Sequence, residues 1–209
     1  MLLVMDVDST LIQAEVIELI AAHAGTEAQV AEVTEAAMRG ELDFAASLHA
    51  RVSTLAGVPV SAFDDVREAV AYMPGARELV TTFRSRGWPV GLVSGGFEEV
   101  VRPLADELGI EHVRANRLQV EGGVLTGRVD GPVVDRAAKA DFLRELAARY
   151  DIPMGRTVAV GDGANDIDMV TAAGTGVAFC ARPALQAVAD VVLDERRLDL
   201  LLPSLGLAQ

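Results

Sequence analysis

The sequence predicts an α/β fold: a doubly wound parallel sheet that carries an inserted helical segment and a small β-hairpin. Three observations predict it. Apolar runs at Leu2 to Met5, Pro89 to Val93, Thr157 to Val160 and Gly176 to Phe179 have the length and unbroken hydrophobicity of strands buried on both faces. Segments with apolar residues at helical spacing separate these runs, as crossover helices do in a parallel sheet. Asp, Ser and Gly cluster directly after the runs, where open parallel sheets bind their ligands.

The first run leads into Asp6-Val7-Asp8-Ser9-Thr10. Residues i and i+2 at a strand end project to the same side, so Asp6 and Asp8 can face one ligand. Two close carboxylates need a cation between them or a proton on one of them. For a D-x-D pair alone, a solvated strand end followed by a helix cap is the competing reading. From Gln13 to Met73 there are helical segments and no strand. Ile17, Ile20, Ala21 and Ala24 fall at i, i+3, i+4, i+7, and Val30, Val33, Thr34 and Ala37 repeat the spacing. Gly25, Gly40 and Gly57-Val58-Pro59 are the expected stops. This predicts a helical insertion over residues 13–73 that covers the ligand face of a core made of residues 1–12 and 74–209.

Further helices are expected over 75–86, 97–108, 137–150 and 166–173, and the alternation of Ala115 to Gly131 around Glu121-Gly122-Gly123 predicts the hairpin. Ser94-Gly95-Gly96, between a strand and a helix, leaves backbone N–H groups free for a phosphate, although Ser-Gly is also ordinary turn chemistry. Lys139, at a helix start, reads by itself as a surface charge and gains meaning only beside a phosphate. Gly161-Asp162-Gly163-Ala164-Asn165-Asp166 follows a strand and opens a helix. Its acidic and amide side chains are foreign to a dinucleotide turn and make a hard oxygen site of the kind Mg²⁺ uses. Helix N-capping by Asn165 and Asp166 is compatible with that role.

Composition narrows the partners. Thirty-one acidic against eighteen basic residues give a formal net charge of −13, which opposes binding to nucleic acid or anionic membrane. Hydrophobic residues make up 51% of the chain, yet Met169 to Ala181, the longest stretch without Asp, Glu, Lys or Arg, is short of the roughly 18 residues a spanning helix needs. The N-terminus lacks the basic region of a secretory signal. One cysteine, Cys180, expected to be buried in an apolar run, cannot form an internal disulfide, so a reducing, cytoplasmic setting is expected. His23, His49 and His112 are scattered, with no Ser or Cys nucleophile motif beside them, which argues against a hydrolase triad.

In the order D-x-D-S-T, S-G-G, Lys139 and G-D-G-x-N-D, these elements resemble the haloacid dehalogenase superfamily of aspartate-nucleophile phosphohydrolases over nearly the whole chain. Within it, the chain is similar to the branch that acts on phosphoserine and carries a helical cap after the first motif; Ala115-Asn116-Arg117-Leu118 belongs to the same resemblance. The resemblance implies a Rossmann-like core with Asp6 as nucleophile and Asp8 as general acid and base. It implies Mg²⁺ held by Asp6, the Asp8 carbonyl and Asp162, with Asp166 in support. Ser94, Gly95, Lys139 and Asn165 would bind phosphate or substrate. In the cap, Glu15 would face a substrate ammonium, Arg51 a carboxylate, and Met38 and Phe44 would wall the pocket. A small-molecule substrate, L-phosphoserine, and a monomer or homodimer are expected. Longer members carry a regulatory domain ahead of the catalytic part, and none is expected within this chain because it begins almost on its first strand. Another small phosphomonoester, phosphoryl transfer to homoserine, and a phospho-accepting signalling domain are the competing functions.

Overall fold

The computed structural model describes residues 1–38 and 43–207, with the backbone alone over 35–38. Its centre is strand β1 (Leu2–Met5), all four residues of which are fully buried. Each such Leu, Val or Met side chain contributes about 1.5–3 kcal/mol by leaving water. Four helices follow, α1 (Val16–Ala24), α2 (Glu27–Met38), α3 (Phe44–Ser53) and α4 (Ala62–Ala69), and then α5 (Ala76–Ser85), β2 (Val90–Phe97) and α6 (Glu98–Glu107). The hairpin is β3 (His112–Glu121) and β4 (Val124–Asp130). After it come α7 (Arg136–Arg149), β5 (Thr157–Gly161), α8 (Ile167–Ala172), β6 (Thr175–Phe179), α9 (Pro183–Gln186), β7 (Val191–Leu193) and α10 (Leu201–Ser204).

The seven strands form one sheet in the order β4-β3-β2-β1-β5-β6-β7, parallel throughout except for the antiparallel β3–β4 pair. Alternation along β1 divides the core. Leu2 and Val4 pack with Phe142, Leu143 and Leu146 of α7 and Met169 of α8, whereas Leu3 and Met5 pack with Leu79 and Phe83 of α5, Val100 and Leu104 of α6 and the apolar faces of the helices after β1. The doubly wound sheet of the sequence reading is therefore present.

Helix α1 buries Val16, Ile17, Ile20 and Ala21 and ends at Gly25, as its periodicity predicts; the stop expected at Gly40 lies outside the described residues. Asp43 opens α3 by accepting the Ala46 N–H at 2.7 Å. The segment after α3 pairs with the hairpin: Gly57 N–H donates to Leu125 O, Leu125 N–H to Val58 O and Val60 N–H to Gly123 O. The hairpin thus reaches from the sheet to the helical segment and carries α3 against β4.

Three features differ from the sequence reading. Strand β3 begins at His112, because its first residues pair with β2 before the hairpin leaves the sheet. Strand β7 was not expected, since Val191–Leu193 is a short, half-exposed edge whose pairing with β6, not its pattern, makes it a strand. Cys180 is exposed and has φ 45°: the chain turns out of the sheet directly after the buried Phe179. Among the described residues no helix is long and apolar enough to cross a membrane.

Gly127 has φ +78°, and a Cβ there would lie 3.1 Å from the Cβ of Ala56 and from the carbonyl of Ser53. Gly127→Val is expected to lower stability by about 2–4 kcal/mol through left-handed strain and overpacking. Gly131→Ala, at φ +87° in open space, is expected to cost about 1–2 kcal/mol. Urea denaturation of both variants measures the difference.

Candidate active site

Register places the site. Met5 is aligned with Leu92 on one side and Val160 on the other, so Asp6 and Asp8, Ser94, and Asp162 emerge at one level from three adjacent strands. This is the carboxyl edge of the sheet at its topological switch point, where strand connections leave an open crevice.

Lys139, fully buried in the first turn of α7, joins these strand ends. Its Nζ donates to Asp6 Oδ1 at 2.6 Å and to Asp166 Oδ1 at 2.7 Å. Burial works against the lysine's charge, but Asp166 and Asp6 outweigh it and raise its pKa above the ordinary value. Asp166 Oδ2 accepts the backbone N–H groups of Asp162 and Gly163 at 3.2 and 3.1 Å, which fixes the turn after β5.

The remaining carboxylates share one cause. Burial raises Asp6 well above the usual carboxylate range, and Asp166, Asp162 and Asp8 add repulsion that Lys139 does not cancel. Burial, followed by Glu15, pushes Asp8 up to about 7, even though Asp8 accepts the Val16 N–H at 2.9 Å and the Ser94 hydroxyl at 3.3 Å. Burial, followed by Asp166 and Glu15, pushes Asp162 up to about 7. Asp6, Asp162 and Asp166 present oxygens within 4.8 Å of one another. An all-oxygen donor set, with several carboxylates against one buried ammonium, has the chemistry of a hard divalent-cation site.

Ser94-Gly95-Gly96, expected between a strand and a helix, lies instead within β2 where its register against β3 shifts, and there Gly96 N–H donates to Ser94 Oγ at 2.8 Å. A Cβ on Gly96 would lie 2.5 Å from Asp8 Oδ2, so only glycine fits there. Phe44 reaches the same segment, since a Cβ on Gly95 would lie 3.0 Å from its Cζ and 3.9 Å from Asn165 Nδ2. Glu15 stands at the start of α1 and accepts the Ser9 hydroxyl at 2.6 Å; burial raises its pKa. Arg51, half-buried on α3, interacts electrostatically with Glu15 and Asp8, while its Nε donates to Ser47 O. The side chain of Met38 lies outside the described residues. All the other site residues expected from sequence converge on this crevice. Ser9, to which the sequence reading gave no role, orients Glu15; its signal was only its place in D-x-D-S-T, and it adopts φ 56°.

A parallel α/β sheet with convergent carboxylates, a buried lysine and a Ser-Gly-Gly bulge at its switch point defines a protein of the doubly wound α/β class. The family described as haloacid dehalogenase-like hydrolase matches residues 3–171, and the chain belongs to that family. Phosphoserine phosphatase SerB2 of Mycobacterium tuberculosis is 57% identical over 208 residues, all of this chain and 51% of that protein. The Streptomyces coelicolor phosphoserine phosphatase is 55% identical, again over 51% of its length. The chain thus spans about half the length of these two relatives, but it covers 91% of the Lactococcus lactis phosphoserine phosphatase, at 50% identity over 94% of this chain. Among solved structures, a substrate-bound phosphoserine phosphatase superposes with a TM-score of 0.92 at 40% identity, and a phospho-aspartyl intermediate analogue of phosphoserine phosphatase with 0.91 at 41%. Each covers 97% of both chains.

The raised pKa values give a pH dependence with a definite sign. Without a cation, the folded chain holds protons on Asp8 and Asp162 that the unfolded chain has released, so their contribution to stability is full below the unfolded carboxylate pKa near 3.8 and is lost as pH rises through about 7. A divalent cation replaces those protons. Scanning calorimetry is expected to show that Mg²⁺ raises the melting temperature more at pH 8 than at pH 5.5; an equal shift at both values would separate cation binding from these carboxylates.

Proposed function

We propose that the chain is a phosphoserine phosphatase that hydrolyses L-phosphoserine to L-serine and phosphate through an aspartyl-phosphate. The observation that carries this reading is the placement of Glu15 and Arg51, one charge of each sign, beside the Asp6–Asp8 pair. Phosphoserine presents an ammonium and a carboxylate next to its phosphate, and a selective site needs a partner for each. The relatives of which this chain spans about half, and the two superposed structures, are phosphoserine phosphatases.

In this reading Asp6 attacks phosphorus in line, and the serine oxygen leaves as Asp8 donates its proton. A carboxyl held near 7 is suited to that task, because it is protonated in part of the population before attack and can afterwards take a proton from the hydrolytic water. The water attacks the aspartyl-phosphate, frees phosphate and restores both carboxyl groups. Mg²⁺, held by Asp6, the Asp8 backbone carbonyl and Asp162, would offset the repulsion between an anionic nucleophile and an anionic phosphate. Asp166 has both oxygens engaged, by Lys139 and by two N–H groups, and therefore orients the ligands from behind.

Ser94, the Gly95 amide, Lys139 and Asn165 bind the phosphoryl oxygens or the substrate around them. The segment 13–73 acts as a cap over a core of 1–12 and 74–209: Glu15 pairs with the ammonium and Arg51 with the carboxylate. Phe44, over Gly95, excludes water. A cytoplasmic setting and a small-molecule substrate accord with this activity.

Phosphate release from L-phosphoserine, phosphothreonine and an aryl phosphate, with and without Mg²⁺, tests the proposal. Mg²⁺-dependent turnover with a large preference for phosphoserine is expected. A stable phosphoprotein without turnover would instead identify a phospho-accepting domain. Asp6→Asn is expected to abolish turnover while the circular dichroism spectrum stays unchanged; substantial residual activity would remove Asp6 as nucleophile. Arg51→Ala is expected to lower kcat/KM for phosphoserine by roughly a hundredfold, through loss of a bidentate charge pair, with a much smaller effect on an aryl phosphate that has no carboxylate. Equal losses on both substrates would assign Arg51 to cap packing.

A further inference from the structure

We infer that Asn116 is a positioning residue for phosphoryl transfer, its buried side-chain amide holding the Ser94-Gly95-Gly96 segment and the entry to α7 in one fixed relation. The inference rests on the phosphatase reading above and assigns a role to a residue that touches neither phosphate nor cation in that reading. Asn116 lies on β3 and is 1% exposed. Its Nδ2 donates to Gly95 O at 2.8 Å, and its Oδ1 accepts the Val134 N–H at 2.8 Å. A carbonyl can only accept and a backbone N–H can only donate, so the two partners fix which end of the amide faces which.

The sheet explains why a side chain is needed here. Pairing between β2 and β3 runs regularly to Val93–Arg114, is then interrupted, and resumes at Phe97–Asn116. The interruption falls on Ser94-Gly95-Gly96, where β2 bulges out of register with β3 at the segment that binds phosphate in the proposed reaction. The Gly95 carbonyl would otherwise be left without the partner a regular strand provides, and Asn116 takes its place.

The consequences spread in two directions. The Gly95 carbonyl and the Gly96 N–H belong to one planar peptide, so fixing the first aims the second. Gly96 N–H donates to Ser94 Oγ at 2.8 Å, and the Ser94 hydroxyl donates to Asp8 Oδ2 at 3.3 Å. A continuous run of hydrogen bonds thus leads from Asn116 to the proposed general acid. In the other direction, Val134 precedes Asp135, which caps α7 by accepting the Ala138 N–H at 2.9 Å and delivers Lys139 one turn later. One amide therefore sets the Ser94-Gly95-Gly96 segment and the lysine-bearing helix relative to each other.

The test compares Asn116→Asp and Asn116→Ala with the wild-type chain in the presence of Mg²⁺. The aspartate keeps an acceptor for Val134 N–H but turns lone pairs toward Gly95 O, and the alanine removes both contacts. Three readouts are needed: kcat/KM on phosphoserine and on an aryl phosphate, the affinity for orthophosphate, and the melting temperature. Loss of alignment at the shared phosphoryl group is expected to lower kcat/KM roughly tenfold to a hundredfold on both substrates alike, with orthophosphate binding weakened in parallel. Folded variants with unchanged kcat/KM and orthophosphate affinity would overturn the inference. So would a loss confined to phosphoserine, which would place Asn116 with the cap, and so would failure of both variants to fold, which would make it part of the scaffold. If the wild-type chain hydrolyses neither substrate, the phosphatase reading has failed, and orthophosphate affinity in the three proteins still decides whether Asn116 shapes the segment.

Discussion

One buried ammonium between two carboxylates organises this molecule. Lys139 has no exposure to water, and it lies within 2.7 Å of both Asp6 and Asp166. A charge in that position is tolerated only because both partners are close and both are themselves held. Asp166 is held by the N–H groups after β5, Asp6 by its place at the end of β1, and Lys139 by the first turn of a capped helix. The triad thereby ties the two central strands to α7, and loss of Lys139 would leave two buried carboxyl groups without their cation.

The same constraint sets the electrostatics of the crevice. One lysine cannot neutralise Asp6, Asp8, Asp162 and Asp166, and burial denies the excess its compensation by water. Asp8 and Asp162 consequently stay near 7. A site in this state favours a proton or a divalent cation, the two things phosphoryl transfer through an aspartate calls for. Glu15 adds to the repulsion on Asp8 and Asp162, so the helical segment contributes to the field of the sheet as well as covering it.

That covering depends on the hairpin. Backbone hydrogen bonds join residues 57–60 to the turn and second strand of the hairpin, and α3, which carries Phe44 and Arg51, rests on β4. The hairpin grows from β3 next to Asn116, so the Ser94-Gly95-Gly96 segment and the helix that bears Arg51 share one support. Orientation of the crevice walls relative to Asp6 follows from this shared strand.

Much of this was legible in the sequence. Unbroken apolar runs marked four strands, and the Asp, Ser or Gly that follows three of them marked the level at which chemistry would appear, because a strand buried on both faces reads as a continuous apolar run. The D-x-D, S-G-G and G-D-G-x-N-D segments each had a structural reading as caps or turns, and it was their conjunction after successive strands that pointed to chemistry. Lys139, Glu15 and Arg51 were different: by pattern alone each is an ordinary charge on a helix, and only the family resemblance singled them out. Asn116, Ser9, the edge strand β7 and the exposure of Cys180 were decided by tertiary structure. Their roles come from partners 21 residues away for Asn116, six for Ser9, and a neighbouring strand or turn for the others. Local sequence specifies hydrophobic period and turn chemistry, whereas the worth of a polar group depends on what the folded chain brings against it, and that is settled only when the sheet assembles.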